Sequence, residues 1–246
     1  MPRSPRPTRY LPALPAAAIL LSLLSSCAAG LSLAVNPDGS GTLAVDARIP
    51  DAAAARLRSF AAAGSPDADA AAPLFDSGAV RRETALRGLA AVYAETPSPN
   101  RFLASFSFRS LADLAADPEL AKAGILQVES KAGVSSLAFR LSRDNARYLP
   151  LLFPGLDPYI LEALSPPALD PYPVTAGEYR EMLQALLGTA ALKELESAEI
   201  RVQVRAPGPV VRHAGGAVSD RTFTAVLGLM DILVLEKPAE FSLAWN

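Results

Sequence analysis

Leu31-Ser32-Leu33-Ala34-Val35, then Asn36-Pro37-Asp38-Gly39-Ser40-Gly41, then Thr42-Leu43-Ala44-Val45-Asp46-Ala47-Arg48-Ile49: this stretch decides how the chain folds. Two short apolar runs flank six residues dense in turn formers. Asn and Asp bond to nearby backbone, Pro fixes φ and Gly tolerates positive φ, so the connection favours a reversal. The stretch predicts a β-hairpin.

The same pattern recurs downstream. Residues 89–95 and 101–109 flank Thr96-Pro97-Ser98-Pro99-Asn100, and residues 125–130 and 134–142 flank Lys131-Ala132-Gly133. Phe102, Phe106 and Phe108 share one face of their strand and read as a core stripe. Helices are expected between the hairpins, over residues 51–63, 76–87 and 110–116, with Gly64 and Gly88 ending the first two. Strand pairs with inserted helices favour an antiparallel sheet.

Residues 143–196 differ in character. Residues 144–153 and 157–164 look helical, and 165–174 are proline-rich. Thr175-Ala176-Gly177-Glu178 matches a capping box and opens a helix through Leu187, followed by another turn or two over 190–196. Strands then return. Ile200, Val202 and Val204 alternate with Arg201, Gln203 and Arg205, the period of a strand wetted on one face. Pro207-Gly208-Pro209 breaks it, residues 221–227 and 241–245 form later strands, and Met230 to Leu235 forms a short apolar turn or helix. The expected fold is α+β: an antiparallel sheet of six to eight strands with helices mainly on one face. Residues 27–246 form one domain, carrying a helical, proline-rich insertion near 143–196.

Upstream of the hairpin lies a leader. Arg3, Arg6 and Arg9 precede an apolar run over 11–24, and no acidic residue occurs before Asp38. That is the secretory signal layout. Fourteen residues reach only about 21 Å as a helix, short of a ~30 Å hydrocarbon core. The run ends in Leu24-Ser25-Ser26-Cys27, which resembles a bacterial lipobox. The resemblance implies a diacylglyceryl group on the Cys27 thiol, removal of residues 1–26, and acylation of the new amine, as by palmitate. The competing reading is an incidental cysteine after an ordinary signal peptide. One acyl chain binds reversibly at ~0.8 kcal/mol per buried CH₂, whereas two or three anchor stably. Only Ala28, Ala29 and Gly30 separate Cys27 from the first apolar run, at most about 10 Å of chain. The hairpin end of the domain is therefore expected against the headgroups.

Composition sets further bounds. Cys27 is the sole cysteine, so the exported domain depends on its core and has no disulfide. Loss of the leader, with its three arginines, takes the formal charge from −2 to −5. An acidic domain is poorly suited to nucleic acid. His213, the only histidine, lies in a glycine-flanked turn with no second histidine to complete a zinc site and no Gly-x-Ser-x-Gly elbow. Gly39-Ser40-Gly41 lies in a hairpin turn, not at a helix start, so it is no phosphate cradle. No catalytic residues, metal ligands or cofactor are assigned, apart from the covalent lipid.

The C-terminal order prompts a comparison. Pro207-Gly208-Pro209-Val210-Val211, His213-Ala214-Gly215-Gly216, Met230-Asp231-Ile232-Leu233, Pro238 and terminal Trp245 follow one another. With the lipobox and the Asn36–Gly41 turn, this resembles the LppM-like domain family of bacterial envelope lipoproteins. The resemblance implies an αβ domain on a lipid anchor, with no catalytic residues to carry over. Many members also carry a C-terminal membrane helix, whereas this chain stops at Asn246, which leaves the lipid as the expected anchor.

One interior feature stands out. Asp157-Pro158-Tyr159 and Asp170-Pro171-Tyr172 flank Ser165-Pro166-Pro167, with Tyr148, Phe153 and Tyr179 near in sequence. The five aromatics Tyr148, Phe153, Tyr159, Tyr172 and Tyr179 are the candidate binding surface, or a lid over an apolar cleft. The blander reading is capped helix starts with tyrosines covering the core edge. The function expected is that of a non-enzymatic envelope lipoprotein at the cell membrane or outer membrane, binding a lipid or another envelope protein. A structural or assembly factor is the alternative, and an envelope hydrolase with an unrecognised site ranks last.

Overall fold

The computed structural model describes residues 27–64, 73–156, 158–172 and 174–246. The lipobox residues Leu24, Ser25 and Ser26 lie outside them. The hairpin forms as the sequence predicts: β1 (Cys27–Val35) pairs antiparallel with β2 (Gly41–Arg48), with Leu31 opposite Val45 and Leu33 opposite Leu43. In its turn the Asp38 carboxylate accepts from the Ser40 hydroxyl at 2.7 Å and the Ser40 amide at 3.0 Å. Those bonds, the hydroxyl's first, hold its pKa below the ordinary carboxylate value. Gly41 is required by space: a Cβ there would lie 2.1 Å from the Ala34 carbonyl and 2.5 Å from the Phe108 ring.

The fold is α+β. β3 (Ala90–Ser98), β4 (Arg101–Phe108), β7 (Glu199–Arg205), β9 (Ala217–Ser219) and β10 (Thr222–Gly228) join the hairpin in a seven-stranded sheet of order β3-β4-β2-β1-β7-β10-β9. All its pairings are antiparallel except β1 with β7, where Leu31 faces Val202 and Leu33 faces Val204. A parallel pair needs a long crossover, and everything between Arg48 and Glu199 supplies it.

A second sheet of four strands is present. It orders β5 (Leu126–Lys131), β6 (Val134–Leu141), β11 (Ala239–Trp245) and β8 (Val210–Ala214) as β5-β6-β11-β8. The predicted third hairpin is β5–β6, but its outer neighbour is the last strand of the chain, with Phe139 opposite Phe241 and the two rings stacked at 5.1 Å. Alternation fixes which face a residue takes and not which strand lies beside it, so the sequence did not separate the two sheets. His213 lies in β8 opposite Leu243, not in a turn.

The inner face of the large sheet carries Leu33, Leu43, Val45, Phe106 and Val202 among others, and shares one core with α1 (Asp51–Gly64), α2 (Ser77–Leu86), α3 (Leu111–Ala115), α4 (Pro118–Ala123), α5 (Pro158–Leu164), α6 (Ala176–Leu187), α7 (Thr189–Glu196) and α8 (Leu229–Val234). Ser32, Thr42, Asp46 and Gln203, on the opposite face, are exposed. The capping box of α6 is complete: the Thr175 hydroxyl accepts from the Glu178 amide, and Glu178 accepts from the Thr175 amide at 2.8 Å.

Candidate functional site: an apolar cavity

In the middle of β1, β2 and β7, where a sheet core is normally most tightly covered, Leu31, Leu33, Leu43, Val45 and Val202 are only half-buried. Their neighbours on β4, Phe102, Ala104 and Phe106, are fully buried. The central strands, with Phe102 and Phe106, border a cavity of about 410 Å³ that lies between the sheet and the layer above it. That volume falls within the ~300–1,000 Å³ of ligand sites. It exceeds the ~150 Å³ of an apolar cavity that stays dry and takes up benzene.

The floor spans β4, β2, β1, β7 and β10, from Phe102 and Phe106 to Leu227. Four strand spacings of ~4.8 Å give it a width of about 19 Å. Along β1 it runs from Ala29 to Leu33, about 13 Å at ~3.3 Å per residue. One wall comes from the second sheet through Leu126, Leu137, Phe139 and Phe241. Another comes from the insertion, through Leu151, Leu152, Phe153, Pro154, Leu156 and Ile160. Among the described residues, every lining residue is apolar apart from Arg48, Glu83, Thr84 and Arg87. The Thr84 hydroxyl is already committed, donating to the Val80 carbonyl at 2.6 Å.

Local chemistry holds the insertion wall in place. Asp76 caps α2 by accepting from the Gly78 and Ala79 amides at 2.8 and 2.9 Å. Its own amide donates to the Gly155 carbonyl at 2.8 Å, and Phe75 bridges to Leu156. Gly155 has a φ of +69°, and a Cβ there would lie 2.3 Å from a Val80 methyl. At the other end of the wall, the Asn145 amide donates to the Ala123 and Arg140 carbonyls, and the Arg143 guanidinium donates to the Leu235 carbonyl at 3.1 Å.

The five candidate aromatics have separate fates. Phe153 lines the cavity. Tyr148 is half-buried under the Arg147 guanidinium, 4.9 Å from its ring centre. Tyr172 is 87 % exposed. Tyr179 is fully buried, with its hydroxyl donating to the Leu164 carbonyl at 2.9 Å and its pKa driven up by burial. Tyr159 belongs to α5, and its side chain lies outside the described set. The insertion thus contributes to the cavity mainly through aliphatic residues. Sequence reasoning took the lining residues of the strands as ordinary core, because an apolar side chain facing a cavity and one facing another side chain look alike in sequence.

Among the described residues, no helix is long and apolar enough to cross a membrane. No protein-family model matches the chain, and no curated protein matches it in sequence. Among solved structures, the NMR structure of the folded domain of the Mycobacterium tuberculosis LppM protein is similar to it: 13 % identity, 89 % of this chain and 88 % of that chain covered, and a TM-score of 0.42. At that identity and score the likeness is distant.

Proposed function

We propose that this protein is an exported bacterial envelope lipoprotein, held to the cell membrane or outer membrane through lipid on Cys27, whose cavity binds the acyl portion of a lipid. The cavity itself is the observation that carries this reading: about 410 Å³ with almost wholly apolar walls. An acyl chain makes dispersion contacts with walls of this kind. The walls offer such a chain apolar contact and offer reacting groups little to work with, so the proposed role is binding without chemistry.

Titration with a fluorescent acyl lipid tests this. The expected result is saturable uptake at about one equivalent, competed by unlabelled phospholipid. Absence of saturable uptake overturns it. One observation favours a protein partner as a second reading: Val92 and Tyr93 on the edge strand β3 are 66 % and 44 % exposed, and Leu86 just before it is 86 % exposed. An edge strand with exposed apolar side chains is a template for another strand.

A further inference from the structure

We infer that the end of the cavity beside Ala29 faces the leaflet that holds the Cys27 lipid, so that the protein loads from its own membrane. The inference rests on the two proposals above, that the cavity is a lipid site and that Cys27 is the anchor.

β1 begins at Cys27 and is an interior strand, with β2 on one side and β7 on the other. Cys27 is in register with Glu199, and Ala29 with both Ala47 and Ile200. The short tether of the sequence reading is therefore strand backbone, held by hydrogen bonds to its neighbours. It cannot swing as a free linker does. Ala29, two residues from Cys27, lines the cavity, as do Ala47, Arg48, Ile49 and Pro50 at the same end of the sheet. Two strand residues span about 7 Å, whereas Val35, at the turn end of β1, lies about 27 Å from Cys27. The anchor thus brings the open end of the β1–β2 hairpin, and with it one end of the cavity, to the membrane; the expected contact of the hairpin with the headgroups is narrowed to that end, and the Asn36–Gly41 turn points away.

The charges around that end are paired. Arg48 meets Asp51 at 3.2 Å, Arg101 meets Asp46 at 2.8 Å, and Arg201 meets Glu199 at 3.9 Å. Exposed pairs of this kind add little stability. Each pair cancels its own charge at this end of the sheet, although the exported domain is acidic overall. An end carrying the unpaired acidic charges would be repelled by anionic lipid.

The test uses the full lipidated protein in vesicles of phosphatidylethanolamine and phosphatidylglycerol containing a pyrene-acyl phosphatidylglycerol. A twenty-residue Gly/Ser segment inserted after Cys27 frees the domain by about 25 Å. In detergent micelles both forms should take up the probe equally. In their own vesicles the extended form should load at least about five-fold more slowly. Equal rates in vesicles, with equal uptake in micelles, overturn the inference while leaving the cavity as a lipid site. Failure of both forms in micelles overturns the cavity reading itself. If the extended form does not fold, quenching by headgroup-nitroxide lipid decides. Pro50→Trp emission should be quenched at least two-fold more than Asp38→Trp emission, each measured against the parent carrying Trp245. Equal or reversed quenching overturns the orientation.

Discussion

Two parts of one apolar interior are filled to different degrees. Leu141, Leu149 and Leu235 belong to the smaller cluster beneath the insertion, are essentially without exposure and do not line the cavity. Leu33 and Leu43, of the same residue type and on central strands, border the cavity and remain half-buried. Residue chemistry does not separate the two regions; the spacing of the layers does. The second sheet meets the large one through the Phe223–Phe241 ring contact, and the insertion is held by the Asn145 and Arg143 hydrogen bonds and the Gly155 turn.

Truncation separates the regions most sharply. Leu141→Ala should cost about 2–5 kcal/mol in urea unfolding of the delipidated domain, as in a close-packed core. Leu33→Ala should cost less than about 1.5 kcal/mol, since part of its dispersion contact is already forgone. Equal losses would mean that the two regions are packed alike. Next in size is Gly155→Ala. Its new Cβ would meet Val80 and the Asp76 carbonyl, at 2.3 and 2.8 Å, from a left-handed backbone. A loss of about 1–3 kcal/mol, with faster release of bound lipid, is expected in unfolding and dissociation measurements.

Narrowing the cavity should act in the opposite sense. Val45→Phe combined with Val202→Phe should leave stability within about 1 kcal/mol of the parent. It should weaken binding of a fluorescent acyl lipid at least ten-fold, about 1.4 kcal/mol. The smallest effect is expected far from the cavity. Thr175→Ala removes one half of the capping box and should cost about 1 kcal/mol with lipid affinity unchanged. The Glu178 pKa is lowered first by the Thr175 amide and then by its hydroxyl. Its contribution is therefore complete above the ordinary glutamate pKa and is lost as pH falls through the lower folded value. In acid titrations of stability, the difference between parent and Thr175→Ala should narrow across that interval.

Much of this fold was legible because its signals are local. The Asn36–Gly41 turn, the Thr175 capping box and the alternation of residues 200–205 each depend on neighbours in sequence, and each appears where expected. β8 went unread because Val211, Arg212, His213 and Ala214 are all exposed, leaving no alternation to find. The helix Pro118–Ala123 was also missed, though Asp117 caps it and Gly124 ends it in the left-handed region. That signal was present in the sequence. The parallel β1–β7 pair and the division into two sheets depend on contacts between distant segments, which periodicity does not encode. The cavity was illegible for the same reason. The aromatic pattern of the insertion drew attention to Tyr172 and Tyr179, whereas the aliphatic run around Leu151, Leu152 and Leu156 supplies the wall.

Native mass spectrometry of the protein extracted from its own membrane tests the central claim most directly. The account predicts a species carrying one noncovalent lipid beyond the covalent modification of Cys27, and loss of that species in the Val45→Phe, Val202→Phe protein. A spectrum showing only the covalently modified chain, under conditions that preserve noncovalent lipid on a control protein, would contradict it.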